Sequence, residues 1–228
     1  MNKNVIIVAG GKGLRMGQEL PKQFIAIKEK PILMHTLESF YNADAKTNII
    51  VVLPQSFIDY WSNICKKYNF DIPHTIAIGG ETRFHSVKNG LSYVKDGFVA
   101  VHDGARPFAS STLINKLFNE AILHKAVIPV TDVTDSLREM TDENNSKIID
   151  RSKIKQVQTP QVFNYEVLEK AYQLKYSEIF TDDASVVEKY GVNIHLVQGE
   201  TSNIKITTPF DLEIANIILD LKFKKEDV

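Results

Sequence analysis

Short β-branched runs recur along this chain, and each is followed by a stretch with the spacing of an amphipathic helix. Residues 5–9, 49–53, 74–78, 98–102, 126–130 and 193–197 read as buried or half-buried strands. Helical periodicity fills 32–42, 56–68, 83–94, 111–124, 165–175, 183–190 and 209–221. The first of these follows Pro31, which suits a first helical position. Such alternation predicts an α/β fold, a mostly parallel sheet with helices on both faces and right-handed crossovers. Ligands of such sheets collect at the carboxyl ends of the strands.

Composition narrows the function classes. The 228 residues suffice for one self-sufficient core, so we expect a single domain over 1–228. Lys plus Arg total 27 against 28 Asp plus Glu, a net charge of -1 that argues against a dedicated nucleic-acid binder. A small anionic ligand needs only a local cluster of cations and is not excluded. Cys65 is the one cysteine, which rules out an internal disulfide and a multi-cysteine metal site. No apolar run approaches the ~20 residues that span a bilayer. The run at 5–9 is too short for a signal peptide's core, so the expected location is the cytoplasm, with no membrane partner.

One segment breaks the rhythm. Residues 131–156 are polar and acidic, with Asp132, Asp135, Asp142 and Glu143 close together. A turn at 142–146 between two extended stretches makes a hairpin protruding from the sheet. An isolated two-stranded hairpin is marginal in water, so this one reads as an arm that pairs with a second copy of the chain. A surface loop is the alternative.

The first strand runs into Ala9-Gly10-Gly11-Lys12-Gly13-Leu14-Arg15-Met16-Gly17, then Pro21-Lys22-Gln23-Phe24. Glycines after a buried strand let backbone amides approach anionic oxygens. A dinucleotide fingerprint fails because Met16 stands where the third glycine belongs, and a Walker loop fails because Gly13, not Ser or Thr, follows Lys12. What remains is a glycine loop with Lys12, Arg15 and Lys22, able to hold a triphosphate. A tight turn with solvated cations fits the glycines equally.

With the Pro-Lys-Gln continuation, this opening resembles that of sugar nucleotidyltransferases with a Rossmann-like fold. More narrowly, it is similar to the cytidylyltransferases of polyol phosphates, and from residue 9 to about 212 the chain resembles the family acting on 2-C-methyl-D-erythritol 4-phosphate. The blocks that carry the resemblance occur in the family's order. They are Gly79-Gly80-Glu81-Thr82-Arg83-Phe84-His85-Ser86-Val87, His102-Asp103-Gly104-Ala105-Arg106-Pro107-Phe108, Gln158-Thr159-Pro160-Gln161-Val162-Phe163, Thr181-Asp182-Asp183-Ala184-Ser185 and Asn203-Ile204-Lys205-Ile206-Thr207.

The resemblance implies CTP as substrate, Mg²⁺ bridging its phosphates, and Arg15, Lys22 and Lys205 as the cations that neutralise the transition state. It implies nucleotide contacts at Ala9, Gly10, Gly11, Gly13, Gly80, Glu81, Arg83, Ser86, Asp103 and Ala105. For the polyol phosphate it implies Asp103, Arg106, Thr159 and Thr181, with Ser136 and Arg151 reaching across a homodimer from the 131–156 arm. An alignment ambiguity of about three residues leaves Thr134 open beside Ser136. It implies no protein metal ligand. Taken without the resemblance, Thr82 reads as a helix cap, Asp103 and Arg106 as a salt-bridged loop, Thr159 and Thr181 as turn hydroxyls, and Arg151 and Lys205 as surface cations. His102 reads as a packed histidine, because a phosphate dianion needs no protein base. Ribitol-5-phosphate cytidylyltransferase is the nearest rival, and a nucleotide-binding regulator without turnover is the second.

Overall fold

The sheet is built outward from β1 (Lys3–Val8), whose Val5, Ile6 and Ile7 are fully buried. Val5 and Ile7 enter one core and Ile6 the other, as a period of two requires of a strand covered on both faces. The structure, a computed structural model, describes residues 1–10 and 20–226, with side chains through Leu221.

A two-residue hairpin, β2 (Ala26–Ile27) and β3 (Lys30–Pro31), leads into α1 (Ile32–Ala43). Three βα units follow: β4 (Asn48–Leu53) with α2 (Ile58–Lys67), β5 (Thr75–Ile78) with α3 (Arg83–Leu91), and β6 (Phe98–Asp103) with α4 (Ser111–His124). Next come β7 (Ala126–Asp132), the hairpin β8 (Leu137–Met140) and β9 (Ser146–Ile149), then β10 (Lys155–Val157) and β11 (Gln161–Asn164). The chain ends with α5 (Tyr165–Ala171), α6 (Asp183–Tyr190), β12 (His195–Gln198) and α7 (Pro209–Glu226).

All six expected strands and all seven expected helices are present, with ends shifted by a few residues. The order is β10-β7-β11-β6-β1-β4-β5, with β12 parallel to β7. Helices α1, α2 and α4 contribute to the core on one face, and α3, α5 and α6 to the core on the other. Helix α7 continues to Glu226, past the expected end at 221.

Besides the short β2–β3 hairpin, two strands of the main sheet were not expected. β11 is antiparallel between β6 and β7, and β10 is antiparallel along the far end of β7. Val127 and Val130 each pair on both sides, so β10 and β11 share one edge of β7 and β12 takes the other. The register slips by two residues between them, at Gln158-Thr159-Pro160, where the Thr159–Pro160 bond is cis. That break falls beside the carboxyl end of β6 and leaves room there for side chains and ligand.

The hairpin β8–β9 forms its own two-stranded sheet, closed by a turn in which Asp142 Oδ1 accepts from the backbone N–H groups of Asn144 and Asn145. This is the turn expected at 142–146. Met140 and Ile148 are 61% and 79% exposed on it, an apolar surface that the chain alone leaves in water.

Candidate active site

The carboxyl ends of β1 and β6 and the start of α3 surround a cleft of about 260 Å³. Ala9 and Gly10 continue β1 into it, and the Ala9 carbonyl accepts from Gln23 Nε2 at 2.6 Å, which anchors the segment carrying Lys22. On the opposite wall Thr82 caps α3, its Oγ1 accepting from the His85 N–H. Ser86 Oγ accepts from the Gly80 N–H at 3.1 Å and so shapes the turn before that helix. A Cβ on Gly80 would stand 2.4 Å from that of His85, so only glycine fits. Gly80, Glu81, Arg83, Ser86, Asp103, Ala105, Lys22 and Lys205 all line this cleft with Ala9 and Gly10.

A second cavity of about 300 Å³ lies beside it, lined by Arg106, Thr159 and Thr181 among others. The two share Arg83, Asp103 and Lys205, which form the wall between them. Three cations converge there on one carboxylate. Lys205 Nζ is 2.9 Å and Arg106 Nε 3.5 Å from Asp103 Oδ2, and Arg83 Nε is 3.7 Å from Oδ1. Burial alone would push the Asp103 carboxyl up, but Arg83, Lys205 and Arg106 outweigh it and hold the group far below the usual carboxylate range. Asp103 is therefore an anion at every working pH.

The loops are tied together so that this wall is rigid. Arg106 Nη1 donates to the Asn203 carbonyl at 2.9 Å, and the Ile206 N–H donates to the Ala105 carbonyl at 2.9 Å. Buried Asn203 donates from Nδ2 to the Thr159 carbonyl at 2.8 Å. Lys205 thus rides on a segment stitched to β6, and Arg106 is largely engaged in the stitching. Thr159 is engaged too. Its hydroxyl accepts from the Asp103 N–H at 3.1 Å and lies 3.0 Å from His102 Nδ1.

His102 is fully buried, and its Nε2 is 2.9 Å from the Arg106 carbonyl. A carbonyl can only accept, so Nε2 carries the proton and Nδ1 accepts from Thr159. Burial pushes this imidazole down to about 4, so it is neutral and structural, as the sequence suggested.

Sequence reasoning overlooked the layer behind Arg83. Its Nη2 donates to Asp183 Oδ2 at 2.6 Å, and Tyr172 OH donates to Asp183 Oδ1 at 2.7 Å. Asp183 is fully buried, which is rare for a carboxylate unless it is paired. A second acid inside the Thr-Asp-Asp-Ala block was the available signal.

Gly11, Gly13 and Arg15 lie outside the described residues. Ser136 and Arg151 are exposed on the arm and line neither cavity. Arg151 Nη1 donates to the Thr134 carbonyl across the base of the hairpin. Elsewhere, Glu120, His124 and His195 bring three metal-binding atoms together. The two imidazoles are stacked with centroids 3.6 Å apart and planes 4° from parallel. With the rings stacked and nearly parallel, their in-plane lone pairs do not converge on one nearby ion.

The family model described as 2-C-methyl-D-erythritol 4-phosphate cytidylyltransferase matches residues 4–221. The chain belongs to this cytidylyltransferase family. It is 54% identical over 220 residues to the Bacteroides fragilis 2-C-methyl-D-erythritol 4-phosphate cytidylyltransferase, covering 96% of this chain and 100% of that one. The Clostridium novyi protein of the same name is 41% identical, with 96% and 98% covered. Among solved structures, the Anaerococcus prevotii 4-diphosphocytidyl-2C-methyl-D-erythritol synthase matches with a TM-score of 0.81 at 29% identity, over 96% of this chain and 98% of that one. The Francisella tularensis cytidylyltransferase gives 0.79 at 36% identity, over 95% and 99%. As a cytidylyltransferase the chain is an enzyme of the nucleotidyltransferase class. No described helix is long and apolar enough to cross a membrane.

Proposed function

We propose that this chain transfers CMP from CTP to 2-C-methyl-D-erythritol 4-phosphate, giving 4-diphosphocytidyl-2-C-methyl-D-erythritol and pyrophosphate for isoprenoid synthesis. The observation that carries this reading is the wall of Arg83, Asp103 and Lys205 between two cavities. A donor on one side and an acceptor on the other meet at a fixed point, as an in-line displacement requires.

In this reading the first cleft takes CTP, with its base and ribose against Gly80, Glu81, Arg83, Ser86 and Ala105. The triphosphate lies along Ala9, Gly10, Gly11 and Gly13. The second cavity takes the polyol phosphate, whose hydroxyls face Asp103, Thr159 and Thr181, with Arg106 beside them. A phosphate oxygen of the polyol forms the new bond to the α-phosphorus, and the bond from that phosphorus to the bridging oxygen breaks. Pyrophosphate leaves with the electron pair, and no proton moves at the protein. Arg15, Lys22 and Lys205 neutralise the charge that builds on the oxygens. Losing one such group typically costs roughly 3–4 kcal/mol of transition-state stabilisation.

The donor set supports an Mg²⁺ ion held chiefly by phosphate oxygens and water. Asp103 already answers three cations and is a poor anchor for a fourth. When bound, the ion would neutralise charge on the departing pyrophosphate. We read the 131–156 arm as the homodimer contact, supported by its exposed Met140 and Ile148, with Ser136 and Arg151 turned to the partner's polyol site. The chain works in the cytoplasm, where CTP is supplied, on small molecules rather than nucleic acid.

The test is pyrophosphate release with CTP and Mg²⁺, run in parallel on 2-C-methyl-D-erythritol 4-phosphate and D-ribitol 5-phosphate. Release with the first alone is expected. Release with ribitol phosphate alone, or with neither from folded protein, overturns the assignment.

A further inference from the structure

We propose that Asp183 and Tyr172 are positioning residues that hold Arg83 back from Asp103, keeping Asp103 Oδ1 open to a hydroxyl of the polyol phosphate. The proposal rests on the transfer reaction above and adds a specific role to residues behind the wall.

Arg83 stands between two carboxylates. Its Nη2 is 2.6 Å from Asp183 Oδ2, a hydrogen-bonded ion pair, whereas its Nε is 3.7 Å from Asp103 Oδ1, beyond hydrogen-bond reach. The other cations of the wall, Lys205 and Arg106, both address Asp103 Oδ2. Oδ1 is therefore left with attraction but without a close donor among the described side chains. A diol hydroxyl entering the second cavity can donate to it.

The tether is itself braced. Asp183 is the first residue of α6, fully buried, and its second oxygen accepts from Tyr172 OH at 2.7 Å. Tyr172 is held by Phe84, whose ring stacks on it with centroids 4.7 Å apart. Phe84 follows Arg83 in α3, so the braces and the guanidinium move as one body. Asp183 is fully buried while the Arg83 side chain is 31% exposed, and such a pair gains little stability over well-packed apolar residues, so its placement is explained better by geometry than by folding energy. Remove the Asp183 charge and the nearest anion left for Arg83 is Asp103. The guanidinium then closes the gap, donates to Oδ1 and competes with the polyol.

The experiment compares wild type, Asp183→Asn, Tyr172→Phe, Arg83→Lys and the Asp183→Asn/Arg83→Lys double variant in the full chain. Steady-state kinetics are run with CTP, Mg²⁺ and 2-C-methyl-D-erythritol 4-phosphate, alongside thermal melts. Asp183→Asn is expected to lower kcat/KM about 30-fold, mainly by raising KM for the polyol phosphate, and to cost less than threefold in the Arg83→Lys background. Tyr172→Phe leaves the buried Asp183 Oδ1 without its donor, so it is expected to lower the melt by a few degrees and to raise the same KM about fivefold. An equal factor in both backgrounds, or a change in kcat with KM unmoved, overturns the positioning role. Should Asp183→Asn fail to fold, Tyr172→Phe decides alone, and an unchanged KM overturns the proposal. An inactive wild type would sink the transfer reaction itself, whereas an active wild type with an insensitive KM sinks only the positioning role.

Discussion

The end of β6 and the β8–β9 hairpin both carry aspartate and arginine close in sequence, and they use them in opposite ways. At β6 the side chains of Asp103 and Arg106 are each 13% exposed, and further charges and carbonyls fix both of them. On the hairpin, Asp150 and Arg151 are exposed, with Asp150 capping its own short turn and Arg151 bonding the Thr134 carbonyl nearby. Burial makes the difference. In low dielectric a charge must be answered by several partners, so its position is over-determined within one chain. In water the same residues are weakly held, and a fixed role for them needs a second surface.

The comparison breaks most visibly at Asp103. Asp103→Asn leaves three cations facing a neutral amide and is expected to cost at least about a thousandfold in kcat/KM, roughly 4 kcal/mol. Pyrophosphate release checks this, and a loss below about tenfold would mean that the buried cluster is no more decisive than the hairpin.

The next effect concerns stability. The His102 imidazole is pushed by burial from its ordinary 6.5 to about 4. The unfolded chain binds the proton first, so stability is fully present above pH 6.5 and falls as pH drops toward 4, by about 3 kcal/mol. Urea unfolding between pH 7 and 4 checks it, with His102→Gln flattening the curve in that window. The Asp103 carboxyl, held low in the folded chain, contributes only at the bottom of this window, where the unfolded chain begins to bind its proton near the ordinary 3.8.

A smaller effect sharpens the other half. Arg151→Ala is expected to reduce kcat/KM by about 10–100-fold while changing unfolding free energy by less than about 0.5 kcal/mol. A stability loss as large as the activity loss would move Arg151 into the first category. Smallest of all is Glu139→Gln, which breaks the exposed pair with Lys147 at 2.9 Å. Chemical denaturation should register under about 0.5 kcal/mol.

Much of this could be read in the sequence because it follows from periodicity. Six β-branched runs and seven helical stretches gave the parallel framework, and Thr82 was legible as a cap. β11 was not, because Val162 and Phe163 are its only apolar residues and Pro160, Gln161 and Asn164 surround them. Its place between β6 and β7 is a tertiary choice that overrides weak local preference. In the site, blocks of sequence named residues that the structure brings around two adjoining cavities, yet spacing alone cannot say which way a side chain turns. Thr159 read equally as a turn hydroxyl and as a substrate contact, and spacing could not tell that its hydroxyl also bonds His102 and the Asp103 backbone. Asp183 and Tyr172 went unread because their effect passes through Arg83, eleven residues from one another and about a hundred from it.

The three cations that answer Asp103 come from positions 83, 106 and 205 of a 228-residue chain. Synthesis proceeds from the amino end, so the sheet can assemble around β1, β4, β5 and β6 well before the last of them exists. Until residue 205 emerges, Asp103 lacks its nearest cation and the segment that is stitched to β6. A nearly finished polypeptide therefore holds most of the core of the complete one while Asp103 still lacks Lys205 and the segment stitched to β6. Any product of premature termination before that lysine lacks one side of the wall between the two cavities, however well the sheet folds.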